Sequence, residues 1–210
     1  MIYLDTFGSN FDTVLRVYPG ACGGGGTPVC DDDAGVCTGL QSQLATQLAA
    51  GSYCVVVDQY DSDEVGGTVN LRFTRGGRTG TAISASSGSR TGNTCTASDQ
   101  TYPSCQLDSF TGDVGYYFTS CPETPLTVSA ATCASSPSWD SVVHLRAGNA
   151  QAPTDLACND DGLSPCGTTS PIRLSSFTGG SVAGAGLNWL IVDGYHFACG
   201  AYTLNYTISP

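Results

Sequence analysis

The chain has 210 residues, including 27 Gly, 10 Pro, 10 Tyr and 11 Cys, and 40% of it is hydrophobic, too apolar for a disordered chain and suited to short strands joined by turns. The 18 acidic residues face 7 basic ones, all Arg, giving a formal charge of -11; this argues against a nucleic-acid partner, since the charge repels phosphate and no Lys/Arg cluster offers a footprint. With no CxxC pair and no His at zinc spacing, the cysteines point to disulfides formed in an oxidising, extracellular compartment.

In chain order, Met1 to Asn10 lacks the basic and then apolar start of a secretory signal, so the sequence is expected to be a mature or partial form. No apolar run approaches the roughly 18 residues of a membrane span. Phe11 to Val17 is predicted to be a strand, followed by an acidic turn at Cys30 to Asp33. Leu40 to Ala50 (LQSQLATQLAA) is the one helix-like stretch. It is predicted instead as a strand entering the turn at Ala49 to Ser52, because the stretch that aligns with it, Ser170 to Phe177, contains Pro171. Val55 to Tyr60 and Gly67 to Thr74 follow as strands, the latter with Val69, Leu71 and Phe73 alternating toward a core. Residues 76–92 are rich in Gly and Ser and read as a linker, with a short strand at Thr81 to Ser84 as an alternative. Beyond it, strands are predicted at Val114 to Thr119, Leu126 to Ala130, Trp139 to Leu145, Leu190 to Tyr195 and Gly200 to Thr207.

These segments repeat. Phe11-Asp12-Thr13-Val14-Leu15 matches Trp139-Asp140-Ser141-Val142-Val143, and Cys30-Asp31-Asp32-Asp33 matches Cys158-Asn159-Asp160-Asp161 at the same spacing. After a short insertion in the second copy, Val55 to Tyr60 matches Leu190 to Tyr195, and Gly67 to Thr74 matches Gly200 to Thr207. Blocks matching in one order imply duplication. The expected fold is therefore all-β: two antiparallel β-sandwich modules, the first (1–75) lacking its N-terminal strands, then the linker at 76–92, then the second module at 93–210.

At these same residues the chain resembles the bacterial pre-peptidase C-terminal domain of secreted Gram-negative proteins. The motifs that carry the likeness are Phe11 to Leu15, Cys30 to Asp33, Ala50-Gly51-Ser52-Tyr53 with Val55 to Tyr60, Asp193-Gly194-Tyr195 and Gly200 to Leu204. The resemblance implies a jelly-roll-like sandwich that serves as an accessory module beside secreted proteases or in surface proteins, in some cases binding calcium or a polymer. The Gly-rich insert Gly179 to Gly186 and the short first copy depart from that pattern.

Asp31, Asp32 and Asp33, repeated as Asn159, Asp160 and Asp161, form oxygen-rich loops of the kind calcium accepts, with Asp12 and Asp140 at the neighbouring strand starts. The competing role is turn capping, in which Asp and Asn bond their own backbone. Asp58, Asp61, Asp63 and Glu64 read as a solvated hairpin loop. No cofactor is demanded, and calcium is the one cation the pattern suggests. A hydrolase would need a nucleophile, a base and an orienting group; GxSxG and HExxH are missing, and His144, which aligns with Arg16, reads as a surface strand position. Tyr60, Tyr195, His196 and Phe197 are loop aromatics able to stack on sugars or peptides, whereas Trp139 reads as core.

The repeat suggests that Cys30 bonds Cys37 and Cys158 bonds Cys166, closing the acidic loops. Cys22 is then assigned to Cys54, with Cys30 as its alternative, and Cys133 to Cys199. Of Cys95, Cys105 and Cys121 one remains over. The functional expectation is a secreted, non-catalytic structural or adhesive module that self-associates or binds an extracellular polymer. A missing strand supplied by a neighbouring subunit would make it a filament subunit. The alternatives are an accessory or targeting domain of a secreted protease and a small secreted hydrolase.

Overall fold

The computed structural model describes the chain except for residues 34–36, 63–65, 85, 107–108, 134–138 and 162–173. The protein is all-β. It divides into two units, Met1–Gly76 and Gly77–Pro210, and in each one the alternating apolar residues of two sheets face one another across a core.

The described residues of the first unit form six strands: β1 (Ile2–Asp5), β2 (Thr13–Pro19), β3 (Val29–Asp31), β4 (Gln43–Thr46), β5 (Tyr53–Gln59) and β6 (Arg72–Arg75). They form antiparallel sheets in the orders β4-β1-β6 and β3-β2-β5. The unit's buried cluster of Leu4, Leu15, Val17 and Leu44 is thin, with Ile2, Leu48, Tyr53 and Val57 packed partly against it, and Tyr3, Phe7 and Val14 are also buried.

The second unit adds β7 (Thr81–Ala82), β8 (Ser87–Asn93) and β9 (Val114–Ser120) ahead of β10 (Leu126–Ala131), β11 (Ser141–Ala147), β12 (Ala157–Asn159), β13 (Ser176–Val182), β14 (Gly186–Gly194) and β15 (Ala201–Ser209). Its sheets run β13-β10-β15-β8 and β12-β11-β14-β9-β7, all antiparallel except the short β7 to β9 pairing. The core is correspondingly thick, taking in Tyr116, Phe118, Val128, Leu145, Leu190, Val192, Tyr202, Leu204, Tyr206 and Ile208.

The pairing pattern of the first unit recurs inside the second. Leu4 lies between Leu44 and Phe73, and Ala130 lies between Phe177 and Tyr206. Val17 faces Val55, as Leu145 faces Leu190. By this register β1 to β6 correspond to β10, β11, β12, β13, β14 and β15. Three corrections follow. The first unit keeps one of the opening strands expected to be missing, because β1 occupies the place of β10; among its described residues there are no counterparts of β7, β8 and β9. Residues 76–92 are not a free linker, since β7 and β8 lie within them and pair with β9 and β15. Val69, Leu71 and Phe73, expected to be buried, are 45%, 43% and 55% exposed, whereas the aligned Tyr202, Leu204 and Tyr206 are at most 4% exposed.

His144 is also corrected. It is buried, and its Nδ1 lies 2.8 Å from Asp155 Oδ1, with Arg146 paired to the same carboxylate. Asp155 is held well below the usual carboxylate range by these two partners and by the Ser104 N–H. The segment before β9 makes this position internal: Arg146 also donates to Tyr102 O.

The cysteines follow the same segment. Cys22 is bonded to Cys54. Cys199 joins Cys95 instead of Cys133, and Cys158 joins Cys105 instead of Cys166, which lies outside the described residues. Residues 94–113 have no equivalent in the first unit, so alignment of the copies could not reveal these pairs. Cys30 is a free, exposed thiol and is not bonded to Cys37, which is itself in a disulfide, as are Cys121 and Cys133.

At one end of each unit a trio of fully buried hydroxyls joins three chain segments. Thr6 Oγ1 and Thr13 Oγ1 are 2.6 Å apart, Thr13 Oγ1 and Ser42 Oγ 3.2 Å, and the Ser42 N–H donates to both threonines. Thr132, Ser141 and Ser175 repeat the arrangement, at 2.9 and 3.2 Å. Removing the central hydroxyl leaves buried partners with fewer bonds, a loss of roughly 1–3 kcal/mol. Ser141→Ala should therefore lower the unfolding free energy from urea titration by that amount, moving the midpoint down by that loss divided by the urea slope, with Thr13→Val acting alike in the first unit; an unchanged midpoint in both variants would show the trios to be dispensable.

Candidate metal centres

The hydroxyl trios stand directly beside the acidic loops. Asp12 precedes Thr13 and Asp140 precedes Ser141, while Ser42 Oγ donates to the Asp32 carbonyl at 2.8 Å. Each loop is fixed to the sheet by a side chain at its start. Asp31 Oδ2 accepts the Gln43 N–H at 2.7 Å, and Asn159 Oδ1 accepts the Ser176 N–H at 3.0 Å. These two of the eight candidate ligands are thus occupied in bracing the loop, which is the turn-forming role weighed against metal binding.

The other six converge. Oxygens of Asp12, Asp32 and Asp33 lie within 4.8 Å of one another, and so do those of Asp140, Asp160 and Asp161. The register explains the convergence. β2 and β3 pair with Leu15 opposite Asp31, so the start of β2 and the end of β3 lie side by side; β11 and β12 place Val143 opposite Asn159 in the same way. The outgoing strands close the far side, with Tyr60 N donating to Asp12 O at 3.1 Å and Tyr195 N to Asp140 O at 3.0 Å.

Like charges at such separations repel by roughly 3 kcal/mol per pair under near-surface screening. The consequence shows in Asp160, whose carboxyl is pushed up to about 6 by burial, Asp140 and Asp161, with His196 opposing. Asp31 is also raised, by burial first and then by Asp32 and Asp33 against the Gln43 N–H. Asp32 Oδ1 and Asp160 Oδ1 are buried and have no hydrogen-bond partner. An oxygen-only cluster with buried acceptors and excess negative charge fits a hard divalent cation such as calcium.

The remaining candidates do not form a comparable centre. Asp58 is paired with Arg16 at 3.0 Å, while Asp63 and Glu64 lie outside the described residues. Asp193, in the strand preceding Tyr195, is raised to about 8 by burial and by its neighbours Asp113 and Asp99, with Gly194 N and Ser109 Oγ donating to one oxygen. Both indoles are buried, Trp139 donating to Ala201 O and Trp189 to Gly148 O, each at 2.9 Å. Among the loop aromatics, Phe197 is 75% exposed and stacks on Phe110 with ring centroids 5.4 Å apart. Sequence reasoning missed the hydroxyl trios; the available signal was a hydroxylated residue at Thr13 and Ser141 in both copies of the Asp12 and Asp140 motif.

No family model matches the chain, and no curated protein matches it. Among solved structures it is similar to the pre-peptidase C-terminal domain of a collagenase from Bacillus anthracis. The identity is 12%, the TM-score is 0.38, and the match covers 61% of this chain and 95% of that domain.

A carboxyl raised in the folded state favours folding below its unfolded value, near 4, and that contribution is lost as the pH rises through 6. Without a metal ion, Asp160→Asn should therefore be more stable than the parent at pH 7, by about 1 kcal/mol after allowance for solvent screening. The two should be indistinguishable at pH 4. Thermal melts at both pH values in chelator check this; an identical difference at both would show that Asp160 does not titrate as described.

Proposed function

We propose that the chain is a secreted, non-catalytic structural or adhesive element made of two copies of one calcium-braced β-sandwich, with copies of itself or an extracellular polymer as partner. The observation that carries this reading is the pair of carboxylate clusters at equivalent places in the two units. A cation would relieve their charge repulsion, and each cluster joins strands from separate parts of its unit. A bound ion would thus act as a brace, tying the β2 start to the β3 end and the β11 start to the β12 end.

Several features support the extracellular and non-catalytic parts. The disulfides Cys22–Cys54, Cys95–Cys199 and Cys105–Cys158 suit an oxidising compartment. The hydroxyl trios donate among themselves and to backbone, and His144 is engaged by Asp155. The motif resemblance at Phe11 to Leu15 and Cys30 to Asp33 supports a second reading, an accessory or targeting domain of a secreted protease.

A ligand that binds only the folded state stabilises it by mass action, about 2.7 kcal/mol at a hundredfold excess over Kd. Calcium should raise the melting temperature by several degrees over chelator, and calorimetry should count two ions. Asp33→Asn and Asp161→Asn should each reduce the count to one. An unchanged melting temperature in calcium and in chelator would remove the metal role and leave the carboxylates as turn formers.

A further inference from the structure

The second unit shows what the first is missing. In the second, β8 lies along β15 and β9 along β14. Their counterparts in the first unit, β6 and β5, are edge strands, with no strand along their outer sides among the described residues. Edges of this kind are templates for strand addition.

The side chains facing these edges agree. Tyr206 is 4% exposed and lies opposite Gly88, where an added Cβ would come within 2.5 Å of the Tyr206 hydroxyl, so β8 lies flat on that ring. Phe73, at the equivalent register, has no such strand and is 55% exposed. Leu190 is fully buried opposite Tyr116 of β9, while its equivalent Val55 is 37% exposed. Tyr116 and Phe118 of β9 fill the second core, and their absence explains why the first is thin.

Cys30 adds an independent observation. It stands on β3 opposite Arg16, as Cys158 stands on β12 opposite His144. Cys158 is bonded to Cys105, which belongs to the segment between β8 and β9. Cys30 is free and exposed. Among its described residues the first unit therefore has no counterpart of β8 or β9, nor of the cysteine between them.

We propose that the first unit is completed by an extended segment of a neighbouring polypeptide, which adds strands to β6 and β5 and forms a disulfide with Cys30. This rests on reading the two units as copies of one module. The donor chemistry follows from β8 and β9: glycine facing Phe73, aromatic residues facing Val55, and a cysteine between the two strands. Residues 87–120 of a second copy are already placed in that copy's own second unit, so exchanging them would open one gap to close another. The donor is an additional segment with the same pattern.

The covalent step is thiol–disulfide exchange with a small-molecule disulfide as oxidant. The Cys30 thiolate attacks one sulfur of glutathione disulfide, breaking that S–S bond and releasing one glutathione thiolate. The donor thiolate then displaces the second glutathione, forming the Cys30-to-donor bond; the two thiol protons end on two glutathione thiols.

The test uses the whole chain with a synthetic peptide of residues 87–120 carrying Cys95→Ser, in a glutathione redox buffer. A control peptide has the same composition in scrambled order, with the cysteine kept in place. Docking raises the local thiol concentration, so the native-order peptide should form the Cys30–Cys105 bond about a hundredfold faster than the control. Peptide mapping without reduction identifies the bond, and amide exchange should show new protection in β5 and β6. Cys30→Ser should abolish the bond while keeping that protection, and Phe73→Asp, at an exposed position, should abolish the rate advantage. Equal rates for both peptides, or no added protection in β5 and β6, would overturn the proposal. Calcium-dependent melting measured on the same samples reports the metal reading separately, since it depends on the Asp clusters and not on the open edges.

Discussion

Each unit depends on a buried knot of three hydroxyls. A hydroxyl removed from water must find partners, and three segments can provide them to one another only in a single arrangement. In the first unit Thr6 follows β1, Thr13 begins β2 and Ser42 precedes β4, and their mutual bonds bring strands of both sheets to one corner. Asp12 and the Asp31 to Asp33 loop are held beside this corner, partly through the Ser42 bond to the Asp32 carbonyl. The register of β2 with β3 crowds the carboxylates at the corner that this knot holds together. Thr132, Ser141 and Ser175 do the same for Asp140, Asp160 and Asp161. The acidic cluster and its support thus occur as one unit, twice.

How far the sequence could be read depended on whether a signal was local or supplied by distant chain. Strands β2, β5 and β6 and their counterparts β11, β14 and β15 were legible because their apolar runs repeat in order, whereas β1 shares no such run with β10 and was missed; the approach of Asp12 to the Asp32 and Asp33 loop could be anticipated from the duplicated loops. Val69, Leu71 and Phe73 alternate as clearly as Tyr202, Leu204 and Tyr206, yet only the second set is buried. Periodicity reports which face is apolar; burial requires a partner, and β8 exists in one unit only. His144 was misread for the converse reason, since its aligned residue Arg16 is partly exposed and the segment that covers His144 has no counterpart to align. Cys95 and Cys105 lie in that same stretch, so the repeat could not pair them. The hydroxyl trios were missed because Ser and Thr are common in turns, and only the fold reveals that three of them meet.

The distribution of positive charge bears on what the carboxylates need. Among the described residues, four arginines make specific ion pairs within their own units: Arg16 with Asp58, Arg72 with Asp5, Arg78 with Asp113 and Arg146 with Asp155. Arg78 is buried against Asp113 and lies 6.0 Å from the Trp189 ring centroid, and Arg146 is buried against Asp155. Basic residues in this chain therefore act largely as internal counterions. With 7 arginines, no lysine and 18 acids, the fold cannot neutralise its acidic loops from its own side chains. Asp32 and Asp160 each retain a buried oxygen without a hydrogen-bond donor, and burial makes that expensive unless charge arrives from solution. An acidic, lysine-free surface gains nothing from nucleic acid or anionic membrane. The proposed divalent cation would sit at the places where the fold has gathered oxygen ligands. The same composition that argues against one class of partner is therefore the one that leaves the acidic clusters in excess of internal counterions, which is the ground of the proposed cation brace.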